Sequence, residues 1–173
     1  MTNWGRRWGA VALCWAILVL VAGTIAAEVA AGHRHGQIFP VSGHHWTRGP
    51  VGEFGAPRDG GRTHEGFDYM AACGTKLVSA RAGMVLKRAY DPVLYGNYVI
   101  IHAGGLGRNY WYAHMRKPAL VHRGEVVRTG QRIGSVGKTG NARTVGCHLH
   151  FEMHTHGHPV DPEPALRHWD RFS

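Results

Sequence analysis

The sequence is poor in acidic residues, with 11 Asp and Glu against 20 Lys and Arg in 173 residues and a formal net charge of +9 at pH 7. Basic runs interleaved with aromatic residues are missing, so we expect no nucleic-acid partner. Internal repeats, low-complexity tracts and long helical patterns are also missing, which argues against repeat and helical architectures. The positive charge instead favours attraction to an anionic polymer.

The N-terminal segment lacks charge between Gly9 and Ala27. Arg6 and Arg7 precede this apolar run, and a positive region before an apolar run is typical of an export signal. At roughly 1.5 Å per residue, the run is also almost long enough to cross a ~30 Å hydrocarbon core. We therefore interpret residues 1–28 as a signal peptide or, with a slight preference because of its length, a membrane anchor. The rest of the chain is then exported, to a periplasmic or other extracytoplasmic location.

The remaining length suffices for one domain with its own core. Residues 29–50, rich in Gly, Pro, Ser and His, are predicted as a linker that overlaps the start of the domain. The domain is predicted over residues 38–166, with a C-terminal tail at residues 167–173, and we expect a monomer. Cysteine is scarce, and with Cys14 in the apolar segment a single pair, Cys73 and Cys147, is left where oxidation is permitted.

Short runs of β-branched and aromatic residues, separated by turn signals such as Gly96-Asn97 and Gly104-Gly105, predict an all-β domain. Seven short strands with tight turns indicate an antiparallel sheet or sandwich with few helices. The predicted strands are Leu77–Ser79, Met84–Ala89, Tyr98–His102, Tyr110–Met115, Glu125–Arg128, Arg132–Val136 and His148–Thr155.

Fourteen histidines are too many for all to be functional, and spacing separates them. His148 and His150 alternate in a predicted strand, so both side chains point to one face, while Leu149 and Phe151 point to the other, towards a core. His64 and Asp68 lie four residues apart, and His nitrogen and carboxylate oxygen both bind zinc at about 2.0–2.2 Å. The spacing of this second pair alone is a weak signal.

Two further patterns leave alternatives open. His114 lies near the end of the predicted strand Tyr110–Met115, and a single histidine in a strand is more often structural or exposed. His64-Glu65 is also compatible with a helical zinc peptidase motif, His-Glu-x-x-His, but Asp68 stands where the second histidine would be. The glycine at position 66 and the pair Gly60-Gly61 argue against a helix there.

Together these segments resemble the lysostaphin/LytM family of zinc endopeptidases over most of the chain from about Phe39 to Leu166. The resemblance is specific because several short motifs occur in the same order. They are Arg62 to Tyr69 with its H-x-G-x-D pattern, Cys73-Gly74-Thr75, Gly96 to His102, Tyr112 to Met115, Gly130 to Gly134, Gly137 to Gly140, His148 to Glu152, and Pro159 to Pro162.

The resemblance implies a LytM-type fold (duplicated hybrid motif) and one zinc ion per chain held by His64, Asp68 and His150. It implies that His148 and His114 act as general base and transition-state stabiliser. The expected reaction is hydrolysis of peptide bonds in the stem or cross-link peptides of bacterial peptidoglycan. Alternatives are a catalytically inactive module that regulates another wall hydrolase, and a peptidase that acts on proteins.

The resemblance also predicts a disulfide between Cys73 and Cys147, which border two of its motifs; the alternative is two buried free thiols. The loop before His148 is one or two residues longer than usual, and Met115 replaces a more usual Leu. The remaining histidines are interpreted as structural, as solvated or, in the linker, as candidates for inhibiting the site: His33, His35, His44, His45, His102, His122, His154, His156, His158 and His168.

Overall fold

The computed structural model describes residues 36–105 and 107–171. The predicted export segment, residues 1–28, lies outside these ranges, as do His33 and His35 in the predicted linker. Within the described ranges, no helix is long and apolar enough to cross a membrane.

Eleven short strands form two antiparallel sheets in the described part of the chain. The smaller sheet has three strands in the order β1 (Val41–Ser42), β4 (Lys76–Val78) and β9 (Arg132–Ser135). The larger sheet follows the order β2 (His45–Thr47), β3 (Phe67–Ala71), β10 (His148–Thr155), β7 (Arg108–Met115), β6 (Gly96–Ala103), β5 (Gly83–Asp91) and β8 (Val126–Val127). Strand β11 (His158–Val160) also pairs with β10.

One α-helix, α1 (Glu163–Asp170), follows β11 in the described chain. Residues 36–105 and 107–171 also contain three short 3-10 helices, at Pro50–Gly52, Asp59–Gly61 and Gly140–Thr144. The predicted fold class, antiparallel β with few helices, is therefore confirmed, and all seven predicted strands are present with ends within two residues of the prediction.

The core lies on one face of the large sheet. Tyr110, Tyr112, Leu149 and Phe151 alternate along β7 and β10 and are fully buried there. Burial of such side chains contributes about 1.5–3 kcal/mol each. The residues between them on β10, His148 and His150, point to the opposite face, so the alternation of the sequence separates the core from the candidate site.

Residues near both ends of the predicted domain pack into the core. Strands β1 and β2 lie within the segment where the predicted linker and domain overlap, and Phe39 and Val41 of that segment are buried in the core. Trp169, in the predicted tail, is also buried, because α1 carries it onto the core beside Tyr110 and Phe151.

Candidate metal centre

Strand β10 lies between β3 and β7, and this placement gathers the predicted site residues. Asp68 of β3 and His150 of β10 are directly opposite each other in the antiparallel register. Their side chains therefore point to the same face. His64 lies just before β3, His148 lies on β10 itself, and His114 lies on β7, on the other side of β10.

His64, Asp68 and His150 present three ligand atoms to one point. His64 Nε2 lies 2.8 Å from His150 Nδ1, and the nearest Asp68 oxygen, Oδ1, lies 3.1 Å from His64 Nε2 and 3.0 Å from His150 Nδ1. All three side chains are buried. The three predicted metal ligands are thus brought together, whereas no other such group of His, Cys, Asp or Glu occurs in residues 36–105 and 107–171.

The hydrogen bonds of the two histidines explain why a cation fits this point. His64 Nδ1 donates a hydrogen bond to the carbonyl oxygen of Glu53 at 2.8 Å, and His150 Nε2 donates one to the carboxylate of Glu152 at 2.7 Å. In the neutral rings the other nitrogens, His64 Nε2 and His150 Nδ1, then face each other without a proton. A metal cation satisfies both lone pairs and the Asp68 carboxylate at once.

The charges around Asp68 and His150 follow from the same contacts. Burial opposes ionisation of Asp68, but the hydrogen bonds from His150 and His64 outweigh it and hold the pKa of this carboxyl well below its usual range. Burial likewise opposes protonation of His150, but Asp68 and Glu152 raise the pKa of its imidazole to about 9.

Position 66 requires glycine because strand β10 passes too close to its backbone to leave room for a side chain. A Cβ atom built there would lie 2.5 Å from the carbonyl oxygen of Phe151, 2.8 Å from His150 Cε1 and 2.9 Å from Glu152 Cγ. The central glycine of the H-x-G-x-D pattern therefore lets the segment between His64 and Asp68 lie directly against the strand that carries His150.

A β-bulge places His114 in the site. Between the pairs Asn97↔Met115 and Val99↔Tyr112, strand β7 has one more residue than β6, and His114 adopts a left-handed backbone conformation with φ 58°. Simple alternation from Tyr110 and Tyr112 would turn His114 towards the core. The bulge turns it to the other face instead, a common use of bulges next to functional sites.

His114 and His148 are the two imidazoles beside the ligand group. Their ring centroids are 4.7 Å apart, and both rings are buried. His114 Nδ1 donates to the Thr139 carbonyl at 2.9 Å and His148 Nδ1 donates to the Gly146 carbonyl at 2.9 Å. Each neutral ring therefore keeps Nε2 as a proton acceptor.

Burial keeps both of these imidazoles in the neutral form. It lowers the pKa of His114 to about 3, with a further contribution from the positive charge of His150 and His148. It also lowers the pKa of His148, although the charge of Asp68, whose Oδ2 lies 3.9 Å from His148 Nε2, acts in the opposite direction.

Arg48, Arg58, Tyr95, Glu152 and His154 are site residues that the sequence did not identify. Arg48 Nη1 donates to Asp68 Oδ2 at 2.9 Å and so fixes the carboxylate that carries a predicted ligand atom. Tyr95 lies with its ring centroid 6.0 Å from that of His150, and burial together with Glu152 raises the pKa of its hydroxyl. Arg48, Arg58 and Tyr95 lie in loops, whereas alternation within β10 places Glu152 and His154 on the face of His148 and His150 and could have pointed to both.

Glu152 connects the ligand His150 to a second histidine. Its other oxygen accepts a hydrogen bond from His154 Nε2 at 2.6 Å, and the His154 ring stacks on Trp111 with centroids 5.1 Å apart. His154 was interpreted as part of a solvated strand end. The structure instead places it, half-buried, in a chain of hydrogen bonds that ends at the ligand group, whereas His156 and His158 are exposed.

The structure also bears on the other predictions for this region. Cys73 and Cys147 form a disulfide with Cα atoms 5.2 Å apart. The helical zinc motif is ruled out, because Phe67–Ala71 is a strand. Of the linker histidines, His45 stacks on Phe39 and His44 lies tilted against Trp46, and neither is in the ligand group.

The candidate site opens into a cavity of about 670 Å³. Its walls include the ligand group, His114, His148 and Tyr95, together with the long loop before His148. Two buried imidazoles with proton-accepting nitrogens, beside a cation site at the base of an open cavity, are suited to metal-assisted hydrolysis.

The model of one protein family, described as peptidase family M23, matches residues 62–162, which is more than half of the chain. The chain belongs to peptidase family M23. The matched range includes Asp68 and all four predicted site histidines, and the resemblance inferred from the motifs is thereby confirmed.

Similar proteins agree with this membership. The chain is 39% identical over 102 residues to peptidoglycan DD-endopeptidase ShyA of Vibrio cholerae, a match that covers 59% of this chain and 23% of that protein. A zinc-containing peptidase from V. cholerae has a similar structure, with a TM-score of 0.63 and 31% identity, covering 74% of this chain and 39% of the other. The catalytic domain of lysostaphin from Staphylococcus simulans gives a TM-score of 0.59 and 27% identity, covering 67% and 89%. The chain spans about a fifth to a quarter of the length of the curated relatives that it matches.

Proposed function

We propose that this protein is a zinc-dependent endopeptidase that hydrolyses peptide bonds in the stem or cross-link peptides of bacterial peptidoglycan. The observation that carries the proposal is the convergence of two imidazole nitrogens and one carboxylate oxygen on a single point, with an acceptor on the other nitrogen of each ring. Three protein ligands with space beside them are typical of catalytic rather than structural zinc. The substrate class rests on the relatives, one of which is named a peptidoglycan DD-endopeptidase.

In this proposal His64, Asp68 and His150 hold the zinc ion. When bound there, zinc supplies a Lewis acid that acidifies water and polarises a carbonyl group. Arg48 orients the ligand carboxylate of Asp68 through its 2.9 Å hydrogen bond, and Glu152 fixes the ring of His150. The protein thus fixes the ligand atoms in position before substrate arrives.

We assign His148 as the general base and His114 as the transition-state stabiliser. Nε2 of His148 accepts a proton from the attacking water, and the nearby Asp68 carboxylate, at 3.9 Å, favours the imidazolium that results. His114 Nδ1 already donates to Thr139, so this ring stabilises the developing oxyanion as an imidazolium, with Nε2 carrying the proton that His148 took from the water and passed to its neighbour. The close approach of the two rings allows the proton to be returned to the leaving amine.

Purified full-length protein tests the proposal through bound zinc and release of muropeptides from peptidoglycan. We expect about one zinc per chain, loss of zinc and of release in His150→Ala, and loss of release without loss of zinc in His148→Ala. Zinc binding without release would point to a protein substrate. A folded protein that neither binds zinc nor releases muropeptides would support an inactive module that regulates another hydrolase.

A further inference from the structure

Three arginines, Arg48, Arg58 and Arg62, line the cavity beside the predicted metal ligands. Arg48 is engaged with Asp68 Oδ2. Arg58 Nη2 lies 4.0 Å from the same oxygen, which is beyond hydrogen-bond distance. The side chain of Arg62 is exposed and makes no hydrogen bond or ion pair with the described part of the chain.

Arg58 is fixed in place by neutral groups. Its Nη1 donates to the Pro57 carbonyl at 3.1 Å and its Nη2 to the Val51 carbonyl at 2.8 Å. A guanidinium has five N–H donors, so these two bonds leave about three for another acceptor. Carbonyl oxygens orient the group without cancelling its charge.

The charge around Arg58 is not balanced by the protein alone. Asp68 is its nearest carboxylate, but Asp68 is shared with Arg48, His64 and His150. The other acids of this wall, Asp59 and Glu65, are exposed and solvated, so they neutralise it weakly. Arg58 therefore has both the free donors and the charge to bind an anion at the cavity wall.

The location of Arg58 indicates which anion it binds. Its guanidinium lies 4.0 Å from a carboxylate of the ligand group, and successive Cα atoms of a peptide are about 3.8 Å apart. A peptide whose scissile carbonyl lies at the ligand group therefore brings a neighbouring residue to Arg58. A planar guanidinium suits a carboxylate because it can form two parallel hydrogen bonds.

We propose that Arg58, assisted by Arg62, forms a subsite for a free carboxylate on the substrate residue next to the scissile bond. This inference rests on the proposed function, which it deepens by specifying a feature of the substrate. The enzyme then distinguishes peptides that carry this carboxylate from those in which it is amidated.

The experiment measures binding separately from catalysis. Two synthetic peptides, identical except for a carboxylate or a carboxamide beside the scissile bond, are titrated into zinc-loaded full-length protein carrying His148→Ala. We expect the carboxylate peptide to bind about 10- to 100-fold more tightly, the range that a charge-assisted hydrogen bond supports. In the same His148→Ala protein, Arg58→Gln should remove the preference for the carboxylate peptide, and Arg62→Gln should reduce it. Neither substitution should change the affinity for the amidated peptide. Arg123→Gln, a charge removal at an exposed position outside the cavity, leaves it unchanged.

Equal affinity for the two peptides, or equal weakening of both by Arg58→Gln, overturns the proposal, since Arg58 would then act on a group that both peptides share. Bound zinc is measured for each variant, so that damage to the metal site is recognised. Cleavage by protein with His148 intact is assayed in parallel. A carboxylate preference in binding without any cleavage would retain the subsite and refute the proposed activity.

Discussion

Each of the four imidazoles at the candidate site is oriented by an acceptor on one nitrogen. Backbone carbonyls of Glu53, Thr139 and Gly146 do this for His64, His114 and His148, and the Glu152 carboxylate does it for His150. A hydrogen bond on one ring nitrogen determines which nitrogen is left for a metal or a proton. The site is thus defined as much by these acceptors as by the histidines.

The contact between His154 and Glu152 predicts an effect on metal affinity. Substitution His154→Ala removes the 2.6 Å hydrogen bond to Glu152 and leaves this buried carboxylate with less support for its bond to His150. Because partners of metal ligands typically contribute 10- to 100-fold, we expect zinc affinity to fall about 10-fold. Competition with a chromophoric chelator measures it. His158→Ala, exposed on β11, is the control, and an equal effect of both variants would contradict the role of Glu152 as the link.

The lowered pKa values of His148 and His114 predict the pH dependence of turnover. A general base works in its unprotonated form, and burial lowers the pKa of both rings from the ordinary value of 6.5. The base, His148, therefore remains available as the pH falls through 6.5, and we expect the acid limb of kcat to lie below that value. The profile of zinc-loaded enzyme, with zinc content checked at each pH, measures this. A limb at or above 6.5 would show that these rings are protonated more readily than their burial implies.

The sequence indicated the ligand set at the residue scale but not the groups that support it. Strand alternation identified His148 and His150, because both lie in one β-strand and the period of two is local. Arg48, Arg58 and the Thr139 carbonyl could not be found in this way. They reach the site from distant segments, and such contacts depend on the tertiary fold rather than on local pattern.

At the scale of elements, strand pairing and one irregularity assemble the site. Register between β3 and β10 places Asp68 opposite His150, and the bulge in β7 turns His114 to the same face. The sequence predicted the long strands well, whereas β1 and β2, of two and three residues, are too short to show a period. Strand β3 was also missed, because it is buried on both faces and does not alternate.

The close approach of Gly66 to β10 predicts the effect of adding one methyl group. Substitution Gly66→Ala forces the backbone of Phe151 and the side chains of His150 and Glu152 to move, so we expect a loss of about 1–3 kcal/mol in the free energy of unfolding. Zinc affinity should fall as well, since His150 is displaced. Urea unfolding and zinc competition measure the two effects. Gly104→Ala, where a Cβ meets nothing within 4 Å, should leave both unchanged.

The disulfide between Cys73 and Cys147 links the segment after β3 to the start of β10. It closes a loop with a sequence separation of 74 residues, so its removal increases the entropy of the unfolded chain. Replacing both cysteines with serine should lower the free energy of unfolding by about 2–4 kcal/mol. Urea denaturation under oxidising conditions measures this, with Cys14→Ser as the control. Equal stability of both variants would show that the bond contributes nothing to folding.

For the whole molecule, the charge of +9 predicts how the protein behaves on a polymeric substrate. Attraction between a cationic protein and an anionic wall polymer is screened by salt, because the Debye length falls from about 10 Å at 0.1 M to about 3 Å at 1 M. We therefore expect digestion of intact sacculi to slow between these concentrations, whereas cleavage of an uncharged soluble peptide is much less affected. Rates on the two substrates, measured in parallel across a salt series, test the argument. If salt slowed both equally, it would be acting on the site itself, and the excess of basic residues would serve solubility rather than attraction to the wall.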